Sequence, residues 1–440
     1  MAYLVKSMKW LSRESRKMEI GERIRHVRMH KGLTQGELVS GICSITYLSR
    51  IESGKIKPSS SFIKKVSKKL EFKSDYLING NYEEIQLTIF KICNKYKKDK
   101  SITEADLSLL ELYVREVDSI PLLLKGYGVL IYYHARQKNV LYVKSLIDQA
   151  SQMIPSQVEM QDPEDYIYYL KARGLYFYNK QDYSAAHDIY VQAESLLGAE
   201  ETEQHGHIYY NLCHVYKELY KDKSISRLYA LKAYNIYRKN GMQKNVINTL
   251  LMLAILYIMD ELYEKALEIL QQVENSLDTN GDSKYLPIIS YDYGKIYQGL
   301  KDYTNAIKYY EKTLELSEFL SQKDQKVYAL RNMLEIYIEL KDWKNVNKAM
   351  NEAFHFLSIY DVPIAFVQLY GLKAKVFKIR GDYYEYEKNM QKAIEVGLEK
   401  KQHRLVAELS YELGNFYNEN RSYKLSAKFY KISVENKMDL

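Results

Sequence analysis

Between Gln35 and Lys57 the chain carries side chains suited to gripping a polyanion and reading hydrogen-bonding edges: Gln35, Ser44, Ile45, Thr46, Ser49, Arg50, Lys55 and Lys57. An arginine can fork onto a guanine edge, worth about 1–3 kcal/mol of base discrimination. Lysines neutralise backbone phosphates, which position a duplex without specifying its sequence. A second set lies far downstream and recurs at similar places in successive segments: Asn211, His214, Arg331, Asn332, Lys375 and Asn415, flanked by Asp292, Lys295, Glu335 and Glu412. An asparagine amide both donates and accepts, so it can bond the N–H and C=O of an extended peptide whatever its side chains. Arg331 and Lys375 could take a carboxylate.

The first set needs a compact helical frame. Ile20, Ile24 and Val27 fall at the spacing of one buried helix face. Lys31-Gly32 ends that helix, and Thr34 with Glu37 forms a capping box for a second, short one with Leu38 and Ile42 inside. Ser44 can cap a third helix running to Ser53, with Leu48 and Ile51 inward. That turns Thr46, Ser49 and Arg50 outward. After Pro58 a fourth helix buries Phe62, Val66 and Leu70, and a short fifth piece around Tyr76-Leu77 leads to a boundary at Asn79-Gly80. Two short helices joined by a tight turn inside such a unit form a helix-turn-helix. Lys64, Lys65, Lys68 and Lys69 read as a solvated helix face. His26 and His30 have no acidic or cysteine partner nearby, so no metal site is expected.

The second set sits on a repeat. Tyr183, Tyr263, Tyr303, Trp343, Tyr383 and Tyr423 lie at multiples of 40 residues, with Lys223 the one interruption. Nine residues before them stand Gly174, Ala254, Gly294, Ala374 and Gly414, with His214 and Leu334 as departures. Ten after come the mostly small Ala193, Ala233, Val273, Thr313, Ala353, Ala393 and Ser433. This is a stack of helical hairpins resembling tetratricopeptide repeats. The spacing predicts an all-α chain: a five-helix unit over 18–80, then a right-handed α-solenoid of about nine hairpins over 81–440. The first helices should line its concave groove. At Lys221-Asp-Lys223 the turn should be one residue longer. Residues 1–17 show no periodicity and read as a basic arm, or as lying upstream of a true start at Met18.

Charge and composition narrow the functions. Residues 1–80 hold 17 Lys/Arg against 7 Asp/Glu, whereas the rest hold 47 against 49, so the net +8 comes entirely from the amino-terminal fifth. A polyanion partner is expected for that domain alone. Cys43, Cys93 and Cys213 are scattered and suit a reducing cytoplasm without disulfides. The apolar run Leu250–Met259 is too short for a bilayer, which takes about 20 residues. No signal peptide, nucleotide loop, nucleophile motif or catalytic carboxylate pair appears, so neither an enzyme nor a cofactor is expected.

Gly32-Leu-Thr-Gln-Gly-Glu-Leu38, Ser49-Arg-Ile-Glu-Ser-Gly54 and Pro58 resemble the phage-repressor class of helix-turn-helix. The resemblance implies a phosphate contact for Gln35, a structural ion pair between Arg28 and Glu52, and a major-groove face of Ser44, Ile45, Thr46, Ser49 and Arg50. With the long repeat array behind it, the chain resembles the peptide-sensing regulators of Gram-positive bacteria, the PlcR/NprR/Rgg group related to the Rap proteins, and most of all the NprR/PlcR branch. That likeness implies a cytoplasmic homodimer, or a higher oligomer on peptide binding, which binds double-stranded operator DNA and is switched by a short imported signalling peptide in the groove. It also implies an alternative: sequestering a response regulator, with DNA binding secondary.

Overall fold

A computed structural model describes residues 19–31, 33–70, 82–155, 163–277, 283–319, 323–360 and 362–438. The expected arm over 1–17, the fifth helical piece near Tyr76 and the boundary at Gly80 lie outside them. The described residues are helical and contain no strand. They divide into two compact units, one ending at Gly198 and the other starting at Ala199.

The first unit opens with α1 (Ile20–His30), α2 (Gln35–Val39), α3 (Ile45–Glu52) and α4 (Ser60–Leu70). Thr34 caps α2 by accepting from the Glu37 amide at 3.2 Å, and Glu37 accepts the Thr34 amide at 2.7 Å. Ser44 caps α3 through the Tyr47 amide at 3.2 Å. Leu38, Leu48, Ile51, Phe62, Val66 and Leu70 close one core with Ile24 and Val27. Gly21 lets α1 and α3 approach closely: a Cβ there would sit 1.8 Å from the Ile51 carbonyl oxygen. Three hairpins follow: α5 (Tyr82–Asp99) with α6 (Glu104–Tyr113), α7 (Ile120–Arg136) with α8 (Val140–Met153), and α9 (Glu164–Asn179) with α10 (Tyr183–Ser195). Pro121 lies in the first turn of α7, where an absent N–H leaves no helical bond unmade.

The second unit stacks six more hairpins: α11 (Glu203–Leu219) with α12 (Ser224–Lys239), α13 (Gln243–Met259) with α14 (Tyr263–Ser276), α15 (Leu286–Gly299) with α16 (Tyr303–Phe319), α17 (Lys323–Glu339) with α18 (Trp343–Ile359), α19 (Pro363–Ile379) with α20 (Tyr383–Glu399), and α21 (His403–Glu419) with α22 (Tyr423–Met438). From α13 to α21 the first helices of successive hairpins also touch one another, forming a continuous layer.

Two local devices give the 40-residue period its physical content. Gln181, Glu261, Lys301, Lys341 and Arg421 have φ between 55° and 64°, and Gly381 has 79°, so each of these hairpin turns passes through the left-handed region. The aspartate that follows at 182, 302, 342 and 382 caps the second helix, accepting from the amides of Ala185, Asn305, Asn345 and Glu385 at 3.1–3.2 Å. Where a first helix carries the small residue, a large one of the second stands sixteen positions later. A Cβ at Gly174, Gly294 or Gly414 would come within 2.4, 2.5 and 2.7 Å of the rings of Tyr190, Tyr310 and Tyr430. Ala254 and Leu270 belong to one core, and Ala374 and Met390 to another.

The interruption at Lys223 has its own chemistry. No left-handed residue stands at 221, and Asp222 caps Ser224 two residues away at 3.0 Å. The Lys223 side chain is folded back and buried, donating to the carbonyl of Lys217 at 2.7 Å and to that of Tyr220. Its ammonium thus serves the free carbonyls at the end of α11.

Because a non-glycine residue in the left-handed region costs about 1–2 kcal/mol, Lys301→Gly should stabilise the chain by up to about 1 kcal/mol after the extra unfolded-state freedom of glycine is subtracted. Gly294→Ala should destabilise it by about 1–3 kcal/mol through overpacking against Tyr310. Denaturant midpoints of the two variants should move in opposite directions; movement together would contradict this account of the repeat.

Candidate functional site

The exposed face of α3 is built outward from a buried ion pair. Arg28 on α1 donates from Nε to Glu52 Oε1 at 2.7 Å and from Nη2 to Glu52 Oε2 at 3.0 Å. Its Nη1 donates to the Leu33 carbonyl at 2.7 Å, and both partners are buried. The Gln35 amide donates to the same Glu52 Oε2 at 2.7 Å, so a phosphate contact by Gln35 falls to its second N–H. These bonds tie α1, the loop before α2, and α2 itself to the last residue of α3. Tyr47 adds an edge-on contact with Phe62 at 5.4 Å, which the spacing of apolar residues did not announce.

With Leu48, Ile51 and Glu52 buried and Tyr47 packed on Phe62, the opposite face of α3 turns to solvent. Ser44, Ile45, Thr46, Ser49 and Arg50 are exposed together, as are Lys55 and Lys57 just beyond the helix. Ile45 is 54% exposed, unusual for an isoleucine and well placed for an apolar contact such as a thymine methyl.

In the second unit the sequence-derived residues divide. Arg331 and Asn332 come together on α17 with Tyr291, Gln298 and Tyr310. Asn332 was expected to open into the groove, and here the structure corrects the expectation. It is fully buried, its amide donating to Tyr310 at 3.0 Å and Tyr291 at 3.1 Å, while its Oδ1 has no partner. The amide knits α15, α16 and α17 together because two tyrosine hydroxyls converge on it, and the Tyr310 hydroxyl donates in turn to Gln298 Oε1 at 2.6 Å. Arg331 pairs with Glu335 at 2.7 Å one turn along, so that a ligand carboxylate would compete with this glutamate.

Asp292, one repeat before Asn332, is 3% exposed and its Oδ2 is likewise unpartnered. Burial pushes its carboxyl up to about 8, with the Lys295 charge opposing. Burial, with Arg331 nearby, in turn lowers Lys295. On α11, burial first and Lys217 second hold His214 down to about 3, leaving a neutral imidazole edge-on to Tyr210 at 4.7 Å. Asn211 beside it is half-buried and Lys375 on α19 is exposed. Asn415 on α21 accepts from the Tyr430 hydroxyl at 2.7 Å. These four lie on three hairpins, Asn211 and His214 sharing α11 while Lys375 and Asn415 stand on α19 and α21. No His/Cys/Asp/Glu group fit for a metal ion occurs among the described residues, and no helix among them is long and apolar enough to cross a membrane.

Asp292 generates a pH dependence. An acid whose folded value lies above its unfolded one keeps its proton in the folded chain between the two. Its contribution is therefore full below about pH 4 and is lost as pH rises toward 8, by at most about 1.4 kcal/mol per pH unit. Asp292→Asn should flatten this part of the stability profile between pH 5 and 8. An unchanged slope in urea unfolding of the variant would show that the carboxyl ionises normally.

Residues 21–83 match the helix-turn-helix domain family. Over 412 residues, 90% of this chain and 98% of the relative, the sequence is 23% identical to the transcriptional activator NprA of Geobacillus stearothermophilus. The apo form of the quorum sensor NprR from B. thuringiensis superposes with a TM-score of 0.60 at 17% identity, over 81% of this chain and 99% of that one. NprR in complex with its cognate peptide NprX gives 0.54 at 18%, over 80% and 99%. The chain thus carries an amino-terminal helix-turn-helix domain on an all-helical repeat scaffold and resembles, along nearly its whole length, the peptide-sensing transcription regulators of the NprR/PlcR branch.

Proposed function

We propose that this chain is a cytoplasmic transcription regulator whose α3 reads an operator and whose repeats hold a short signalling peptide that alters DNA binding. The observation that carries the reading is the exposed face of α3. Five side chains of the right chemistry are turned out on a helix whose other face is locked into the core by Leu48, Ile51 and Glu52. In this reading residues 18–80 form the DNA-binding domain and 81–440 the domain for peptide binding and dimerisation.

Arg50 would fork onto guanine O6 and N7, with Thr46 and Ser49 bonding neighbouring base edges and Ile45 meeting a thymine methyl. Lys55, Lys57 and the second amide hydrogen of Gln35 would contact phosphates and set the register. A homodimer would place two such helices about one helical turn apart along the duplex. The peptide reading draws on NprR, solved with NprX, and on the asparagines of the first-helix layer.

Fluorescence anisotropy on a duplex from the gene's own upstream region tests the DNA half. Arg50→Ala should weaken specific binding by about 1–3 kcal/mol, roughly 5- to 150-fold, and change binding to a random duplex far less. Equal losses on both duplexes would reduce Arg50 to a phosphate contact. No binding by the unaltered chain at low salt would leave sequestration of a response regulator as the better reading.

A further inference from the structure

The first unit contains a cationic cluster that the DNA-reading helix does not use. Lys97 on α5 and Lys125 on α7 share a single carboxylate oxygen, Asp165 Oδ1 on α9, at 2.6 and 3.1 Å. All three side chains are largely shielded, at 12–18% exposure. Lys171, two turns along α9, has no carboxylate partner among the described residues and stands over two tyrosine rings, Tyr168 at 4.5 Å and Tyr132 at 5.0 Å. Lys97 also lies over the Tyr168 ring, at 4.6 Å. Ring quadrupoles attract an ammonium but supply no countercharge. Tyr168 is 6% exposed, and its hydroxyl is buried without a hydrogen-bond partner among the described residues.

Two ammonium groups thus share one carboxylate and a third stands over the ring of a tyrosine whose hydroxyl is unpartnered among the described residues, in a partly dry setting where an uncompensated charge is costly. We infer that the α5–α7–α9 face is an anion-binding site, in which Lys97, Lys171 and the Tyr168 hydroxyl receive a carboxylate or phosphoryl group. The charge state of Lys171 agrees: burial, with Lys100 and Lys97 close by, lowers it to about 7. A bound anion would restore its proton. Both candidate groups offer several oxygen acceptors to three donors. Whether the group belongs to an acidic peptide or to a phosphorylated partner is a question of source.

Competitive lysine acetylation of the full chain, read by mass spectrometry at pH 7.5 and constant ionic strength in sodium chloride, tests the site. Without a probe anion, Lys171 should react at least tenfold faster than an exposed lysine such as Lys91. Inorganic phosphate or acetate at 10 mM (about the range for a weak single-group contact) should slow Lys171 at least fivefold and leave Lys91 unchanged. Protection by phosphate alone assigns a phosphoryl ligand, and protection by acetate assigns a carboxylate. Lys97→Gln should remove the protection, and Tyr168→Phe should weaken it. If neither anion protects Lys171 in the unaltered chain, or if Lys91 is slowed equally, the site does not exist. The labelling uses no DNA and no peptide, so its failure leaves the regulator reading standing.

Discussion

Two charges largely withdrawn from water, Arg28 and Glu52, set the position of everything that could read DNA here. Removing either partner from such a pair leaves a buried charge, at a cost of about 3–5 kcal/mol. The bidentate geometry, with a third guanidinium bond to the Leu33 carbonyl, therefore fixes α1, the approach to α2, and the end of α3 as one body. Gln35 joins the same carboxylate. Exposure of Arg50 follows from this anchoring: Glu52 and Ile51 must face inward, and a helix only eight residues long leaves the remaining side chains little choice.

The repeats obey a different constraint, the fit of a ring into the gap left by a glycine. Tyr190, Tyr310 and Tyr430 fill the space above Gly174, Gly294 and Gly414, and each hairpin is thereby held at close range. Tyr310 has a second duty. Its hydroxyl lies between Gln298 and Asn332, so the packing of one hairpin is coupled by hydrogen bonds to the first helix of the next. This is a route by which occupancy of the first-helix layer could alter the stacking of hairpins, because Asn332 cannot leave Tyr310 without changing the surroundings of a fully buried ring.

Much of this was legible in the sequence. The 40-residue spacing, the capping box at Thr34 and Glu37, and the inward turn of Leu48 and Ile51 all follow from local rules with short range, and the hairpins appear where the spacing placed them. The pairing of Arg28 with Glu52 was implied by resemblance, and in the fold the two side chains lie 2.7 Å apart. The tyrosine partner of each glycine was not read, although its sixteen-residue offset is visible once the hairpin geometry is known. Nor was the burial of Asn332 and Asp292. One position along a helix turns a side chain by about 100°, enough to carry it from an open face into the seam between helices, and only the partners across that seam decide which occurs. The cationic cluster was invisible for a like reason: Lys97, Lys125 and Lys171 come from three helices and share no motif.

The central claim is that α3 reads sequence. Its most direct test is selection of bound duplexes from a random library by the full chain, followed by sequencing. The account predicts an enriched motif containing a guanine that depends on Arg50, repeated about one helical turn away if the chain binds as a dimer. Recovery of duplexes with no sequence preference, or an identical motif with Arg50→Ala, would contradict it.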